Sequence, residues 1–269
     1  MVLDDSPRGF DVPPEQALLV LDMQDYSKIP EAKMAPARSD VDDILECVLS
    51  HAGLGLPEES EGAYKDTGDG AILVFAPHVL PRLVDPVLAE LNAALRRYER
   101  QRLVGAPTIR LRASVHVGPL TLPDRRGDAI NDACRLISSR TVYQGLWAAG
   151  VNGAFLAAVL SETAYRRTVA AGRTPELGTH HFLATRARVE GKPDFAEPCW
   201  LHVPGLLAAG LRSFLPEESE ADEPSPAQKE PPGAGGGGSG GGVQQKAKAS
   251  GKGQVLQVGG NYTTGEGKR

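Results

Sequence analysis

The chain has 269 residues, with 34 acidic against 29 basic side chains and a formal net charge of −5. An acidic balance without clustered Lys and Arg argues against a nucleic-acid surface built on bulk charge. Hydrophobic residues make up 41% of the chain, but 14 of the 31 glycines and only one aromatic, Tyr262, lie beyond residue 215. This imbalance predicts one globular unit over 15–215, an N-terminal segment 1–14 and a C-terminal tail.

Segment 1–14 is acidic and proline-bearing, without the basic and apolar regions of a secretory signal. The longest apolar stretch, 153–160, is far short of the roughly 20 residues that span a bilayer. A soluble, cytoplasmic chain with no membrane or nucleic-acid partner is expected. Cys47, Cys134 and Cys199 are spaced too irregularly for a zinc knuckle or a disulfide framework and read as reduced thiols.

In chain order, the apolar run 17–21 reads as a strand buried on both faces. Over 35–52, Val41, Ile44, Leu45, Val48 and Leu49 recur at helical spacing. Segments 63–66 and 71–75 form a hairpin around Thr67-Gly68-Asp69-Gly70. A second long helix is expected over 80–100, and a half-buried strand over 108–117, where apolar and polar residues alternate. A helix over 127–139, a strand over 155–160, a helix over 162–171 and strands over 182–189 and 199–203 complete the unit. The order β-α-β-β-α-β, followed by further elements, predicts an α+β fold: a ferredoxin-like split βαβ sheet with helices on one face. The other face is then open to a ligand or a second subunit.

Beyond 215 the composition changes. The segment 216–253 is acidic, Pro/Ser-rich and then nearly pure glycine, and it is expected to be disordered. The final segment, 254–269, carries Gln254-Val255-Leu256-Gln257-Val258, a short stretch with strand propensity. It reads either as a docking peptide for a protein partner or as a tail without one.

Two carboxylates stand at strand ends: Asp22 closes the first strand and Asp69 sits at the hairpin tip. In this topology the two strands are neighbours, so the pair can converge on Mg²⁺, which takes one or two protein oxygens plus substrate phosphates. Taken alone, each reads more readily as a turn residue, since Asp is common in turns. Asn131 and Arg135, at i and i+4, share a helix face and suit a ribose hydroxyl and a phosphate charge that grows in a transition state. An ordinary charged surface helix is the alternative.

Three stretches resemble, in order and spacing, the catalytic domain of class III nucleotide cyclases: LVLDMQDYS (19–27), YKDTGDGAILVF (64–75) and RLRASVHVGPL…DRRGDAINDACRL (110–136). The resemblance spans about 15–205. It implies that Asp22 and Asp69 bind two Mg²⁺ or Mn²⁺ ions per site and that Arg112 reaches the triphosphate. It further implies that Lys65 and Asp124 read the base and that Asn131 and Arg135 serve the transition state, with Lys192 a further phosphate contact. The implied reaction converts a nucleoside triphosphate, ATP by the Lys65/Asp124 pair, to a 3′,5′-cyclic nucleotide and pyrophosphate. The implied assembly is a head-to-tail homodimer, with metals and Arg112 from one subunit and Lys65, Asp124, Asn131 and Arg135 from the other. Two alternatives remain open. One is a pyrimidine (CTP or UTP) cyclase in antiphage signalling; the other is a catalytically silent cyclase-like sensor or adaptor working through its tail peptide. The sequence departs from the family at Asp25, where glycine is usual and a carboxylate faces the phosphates, and at Arg125 and Arg126, where aromatic or apolar residues are common. The interval from Asp69 to Asn131 is also short for the family.

Overall fold

The computed structural model describes residues 11–58 and 62–215. The readings for 1–10, 216–253 and 254–269 lie outside the described residues. Their strands and helices follow the order β1 (Glu15–Met23), α1 (Glu31–His51), β2 (Tyr64–Asp66), β3 (Gly70–Phe75), α2 (Leu80–Val84), α3 (Val87–Gln101), β4 (Leu111–Pro119) and α4 (Asp128–Ile137). The second half comprises α5 (Arg140–Val151), β5 (Leu156–Ser161), α6 (Glu162–Arg167), β6 (Leu183–Val189), β7 (Lys192–His202) and α7 (Ala208–Leu211).

Seven strands form one sheet in the order β2-β3-β1-β4-β5-β7-β6. Its first four members are mutually antiparallel and have the ferredoxin-like arrangement expected from the sequence. A parallel β4–β5 pair and the antiparallel β5, β7 and β6 extend it.

Alternation along β1 separates two cores. Ala17, Leu19, Leu21 and Met23 join Leu73, Val115 and Leu160 in the large core beneath α1 and α3, which supplies Val41, Leu45, Leu88 and Leu91. Leu18 and Val20 point the other way and meet Ile72, Val74 and the α4 residues Ala129, Ala133 and Ile137. Farther along that face, Val142, Leu146 and Ala149 of α5 pack against Ala157, Val159 and Leu201. The expected layer of helices on one face is thus present, and α4 and α5 add a second layer on the face that the sequence reading leaves open.

Some elements depart from the sequence expectation. Strand β4, expected to be half-buried, is buried on both faces, because α4 and α5 cover the side that carries Ser114 and Arg112. The helix read over 80–100 is two helices, because Pro86 bars α geometry at the residue before it. Asp85 is extended (φ −139°, ψ 112°), and its carboxylate accepts the Glu176 N–H at 2.7 Å. Helix α5 has no counterpart in the sequence reading; Gly145 and Gly150 within it weaken local helix propensity, and its formation rests on burial of Val142, Leu146 and Ala149. Among the described residues no helix is long and apolar enough to cross a membrane.

Candidate active site

Strand register builds the site. Asp22 on β1 lies opposite Gly70 of β3 on one side and Arg112 of β4 on the other. The Asp69 carbonyl accepts the Met23 N–H at 2.8 Å, which pins the hairpin tip beside the end of β1. Both glycines of Gly68-Asp69-Gly70 answer a local demand. Gly68 is left-handed (φ +88°), and a Cβ on Gly70 would lie 1.9 Å from the Leu21 carbonyl oxygen. The GDG pattern is therefore the condition for bringing Asp69 against Asp22.

The hairpin is held from the side by a residue that sequence reasoning passed over. Arg38, buried on α1, donates to Asp42, to the Tyr64 hydroxyl at 2.8 Å and to the Gly70 carbonyl at 3.2 Å. It also lies 3.7 Å from the Asp66 carboxylate. The Arg38/Asp42 spacing of four on a helix was its only signal in the sequence.

Arg112 is buried and donates to the Asp22 carboxylate. Its guanidinium carbon lies over the ring of Tyr143, on α5, 3.8 Å from the centroid. Burial pushes the Asp22 carboxyl up to about 6; Arg112 pulls it down, and the nearby Asp69 carboxylate adds to the rise. The group therefore releases its proton near neutrality unless a cation is supplied.

A cavity of about 500 Å³ opens here, lined by Gln24, Asp25, Thr67, Gly68, Asp69, Arg112 and Tyr143, among others. That size suits a small ligand. Among the described residues no three His, Cys, Asp or Glu side chains cluster to hold a metal by themselves. The donor set is the Asp22/Asp69 pair, two hard oxygen ligands that repel one another. It fits a divalent cation whose shell is completed by water and substrate phosphates, and does not fit a closed structural site.

Asp25, the departure from the family's glycine, takes the conformation a glycine would supply, φ 57° and ψ 24°. Asp is among the few residues that adopt it readily. Its carboxylate pairs with Lys28 at 2.7 Å. A left-handed residue leading into the 3₁₀ turn Tyr26–Lys28 is a backbone pattern that forms anion-binding concavities.

The remaining expected residues lie outside the cavity lining. Asn131 is exposed. Arg135 pairs with Asp132 at 3.1 Å, and its guanidinium lies 5.5 Å from the ring centroid of Phe195 on β7. Burial raises the Cys134 thiol on α4, while the ammonium groups of Lys65 and Lys192 pull it the other way. Asp124 is exposed and pairs with Arg126 at 3.6 Å. Within one chain the structure thus joins Asp22, Asp69 and Arg112, and leaves Lys65, Asp124, Asn131, Arg135 and Lys192 outside the cavity lining. Tyr143 and Phe195, the aromatic partners of Arg112 and Arg135, were missed because each lies in an element far along the chain from its arginine, and no local motif joins them.

No protein-family model matches the sequence, and no curated protein matches it either. The chain is similar in structure to the catalytic core of a rhodopsin-guanylyl cyclase with converted specificity in complex with ATPαS, at 16% identity and a TM-score of 0.47 over 72% of this chain and 97% of that one. It is also similar to the guanylate cyclase domain of RhGC from Catenaria anguillulae in complex with GTP, at 15% identity and a TM-score of 0.46 over 71% and 97%. An adenylate/guanylate cyclase/hydrolase from Silicibacter pomeroyi is similar at 20% identity and a TM-score of 0.46 over 71% and 98%.

Proposed function

We propose that the protein is a nucleotidyl cyclase that converts a nucleoside triphosphate, ATP by preference, to its 3′,5′-cyclic nucleotide and pyrophosphate. The observation that carries the reading is the strand register that sets Asp22 beside Arg112 and the hairpin tip, with Arg112 and Asp69 lining the cavity there. Two carboxylates and an arginine at a cavity of this size match a polyphosphate carrying divalent cations.

In the reaction, the 3′-oxygen bonds to the α-phosphorus, the bond from that phosphorus to the bridging oxygen breaks, and the hydroxyl proton leaves to solvent. Such a displacement depends on positioning and charge neutralisation more than on covalent chemistry. Asp22 and Asp69 would hold Mg²⁺ or Mn²⁺, two ions per site, which would supply a lowered hydroxyl pKa and a clamp on the triphosphate. Arg112 turns its in-plane donors to the phosphate oxygens. Asp25, with its charge met by Lys28, leaves the turn free to approach them.

Lys65, Asn131, Arg135 and Asp124 do not line this cavity, so the site is completed by a second copy of the chain. Lys65 and Asp124 of that copy read the base: adenine N1 accepts a hydrogen bond and its N6 amino group donates one. Asn131 orients the ribose and Arg135 neutralises the growing charge. In a two-fold dimer each subunit then gives its metal half to one site and its α4 half to the other.

Complementation tests this arrangement. Asp69→Ala and Arg135→Ala are each expected to abolish product. Mixed in equal amounts, half the dimers are heterodimers with one intact site of two, so about a quarter of the unmodified activity returns. A mixture no more active than its parts contradicts the two-chain site.

A further inference from the structure

Arg112 has two partners of different kinds. One terminal nitrogen donates to Asp22, while its Nε is buried and has no hydrogen-bond partner. Its guanidinium carbon lies over the Tyr143 ring, 3.8 Å from the centroid. The two contacts respond differently to ligand. Asp22 competes for the same donors that a phosphate would use, and in the reading above its charge is taken up by a divalent cation. A ring face neutralises nothing and leaves the in-plane N–H donors free.

Tyr143 is placed for this task by α5. Val142, Leu146 and Ala149 fix the helix against the sheet, so Tyr143 sits on the outward side, 53% exposed, and lines the cavity together with Arg112 and Asp69. Its half-exposed ring contributes little to the core.

We infer that Tyr143 is a positioning residue for Arg112: its ring holds the guanidinium at the cavity wall when Asp22 turns to a cation, so that the in-plane donors face the triphosphate. This rests on the nucleotide reading of the site.

The test is calorimetric binding of inorganic triphosphate to the full chain in Mg²⁺, which reads Arg112 without requiring turnover. Tyr143→Phe keeps the ring and is expected to bind within about two-fold of the unmodified protein. Tyr143→Leu removes the ring and is expected to weaken binding about five- to thirty-fold, the range of an exposed to a desolvated cation–π contact. In an Arg112→Met background, where the cation is gone, Tyr143→Leu is expected to change nothing further. A general structural role would weaken binding equally in both backgrounds, and that result overturns the inference. So does a Tyr143→Phe protein as weak as Tyr143→Leu, or a Tyr143→Leu protein as tight as the unmodified one. Absence of any triphosphate binding by the unmodified chain overturns the nucleotide reading and this inference together.

Discussion

Replacing Gly70 by alanine puts a methyl group 1.9 Å from the Leu21 carbonyl oxygen, 2.7 Å from its carbon and 2.9 Å from the Asp22 Cα, where ordinary contact starts at 3.4 Å. All three obstacles are backbone atoms of the paired strand, so no side chain can swing aside. Relief requires β1 and β3 to part at the point where Asp22 and Asp69 meet. Overpacking costs about 1–3 kcal/mol when side chains can adjust, so Gly70→Ala belongs at the upper end, about 3 kcal/mol. Gly68→Ala is the control. It has open space around it but a φ of +88°, a strain of about 1–2 kcal/mol that the stiffer unfolded chain offsets by roughly half. For a domain of this size 1 kcal/mol moves Tm by about 2–4 °C. The Tm, followed by the fluorescence of Trp147 and Trp200, should therefore fall by about 6–12 °C for Gly70→Ala and about 1–4 °C for Gly68→Ala. Equal losses would refute the close approach of the hairpin to β1, and with it the placement of Asp69.

Arg38→Met leaves the Tyr64 hydroxyl and the Gly70 carbonyl without their shared donor. A loss of about 2–3 kcal/mol in urea unfolding is expected, and a loss under 0.5 kcal/mol would show that Arg38 does not hold the hairpin. The Asp22 carboxyl, pushed up from 3.8 to about 6 by burial, gives stability that is full below pH 3.8 and lost as pH rises through 6. Unmodified protein should thus lose up to about 3 kcal/mol more than Asp22→Asn between pH 4 and 7.5, and parallel pH profiles would contradict the shift. Because the deprotonated form binds cations, thermal stabilisation by Mg²⁺ should be present at pH 8 and absent at pH 5. Asp25→Gly removes a left-handed Asp and an exposed ion pair; stability should change by less than about 1 kcal/mol, and Mg²⁺-triphosphate binding by less than about two-fold. Much weaker binding would make Asp25 a ligand of the cation, and much tighter binding would show that its carboxylate repels the phosphates.

The sheet was legible wherever one residue type dominated a strand. The run Ala17–Leu21 announced a strand buried on both faces; the alternation around Arg112 announced its neighbour but understated its burial, since Arg112 and Ser114 are covered as well. Both burial patterns are local. The second helical layer was illegible because α5 depends on what it packs against, and its two glycines and its place directly after α4 mask the period. Pro86 was visible in the sequence, but the strength of the apolar spacing through Leu80–Leu95 concealed the break it causes. In the site, Asp22, Asp69 and Arg112 were legible as separate residues, and their meeting followed from strand order. Arg38 and Tyr143 were not legible, since each acts across elements far apart in the chain. The reading that Asp25 would disturb the phosphate turn rested on its side chain; the backbone conformation and the Lys28 partner are set by the fold.

Incubation of the purified chain with Mg²⁺ or Mn²⁺ and each of the four nucleoside triphosphates, with products resolved by mass spectrometry, addresses the proposed function directly. The account predicts a 3′,5′-cyclic nucleotide and pyrophosphate in equal amounts, most abundantly from ATP, and none from Asp69→Ala. A cyclic pyrimidine as the main product would keep the chemistry and overturn the base preference. No cyclic nucleotide above the Asp69→Ala control with any substrate and either metal would contradict the account.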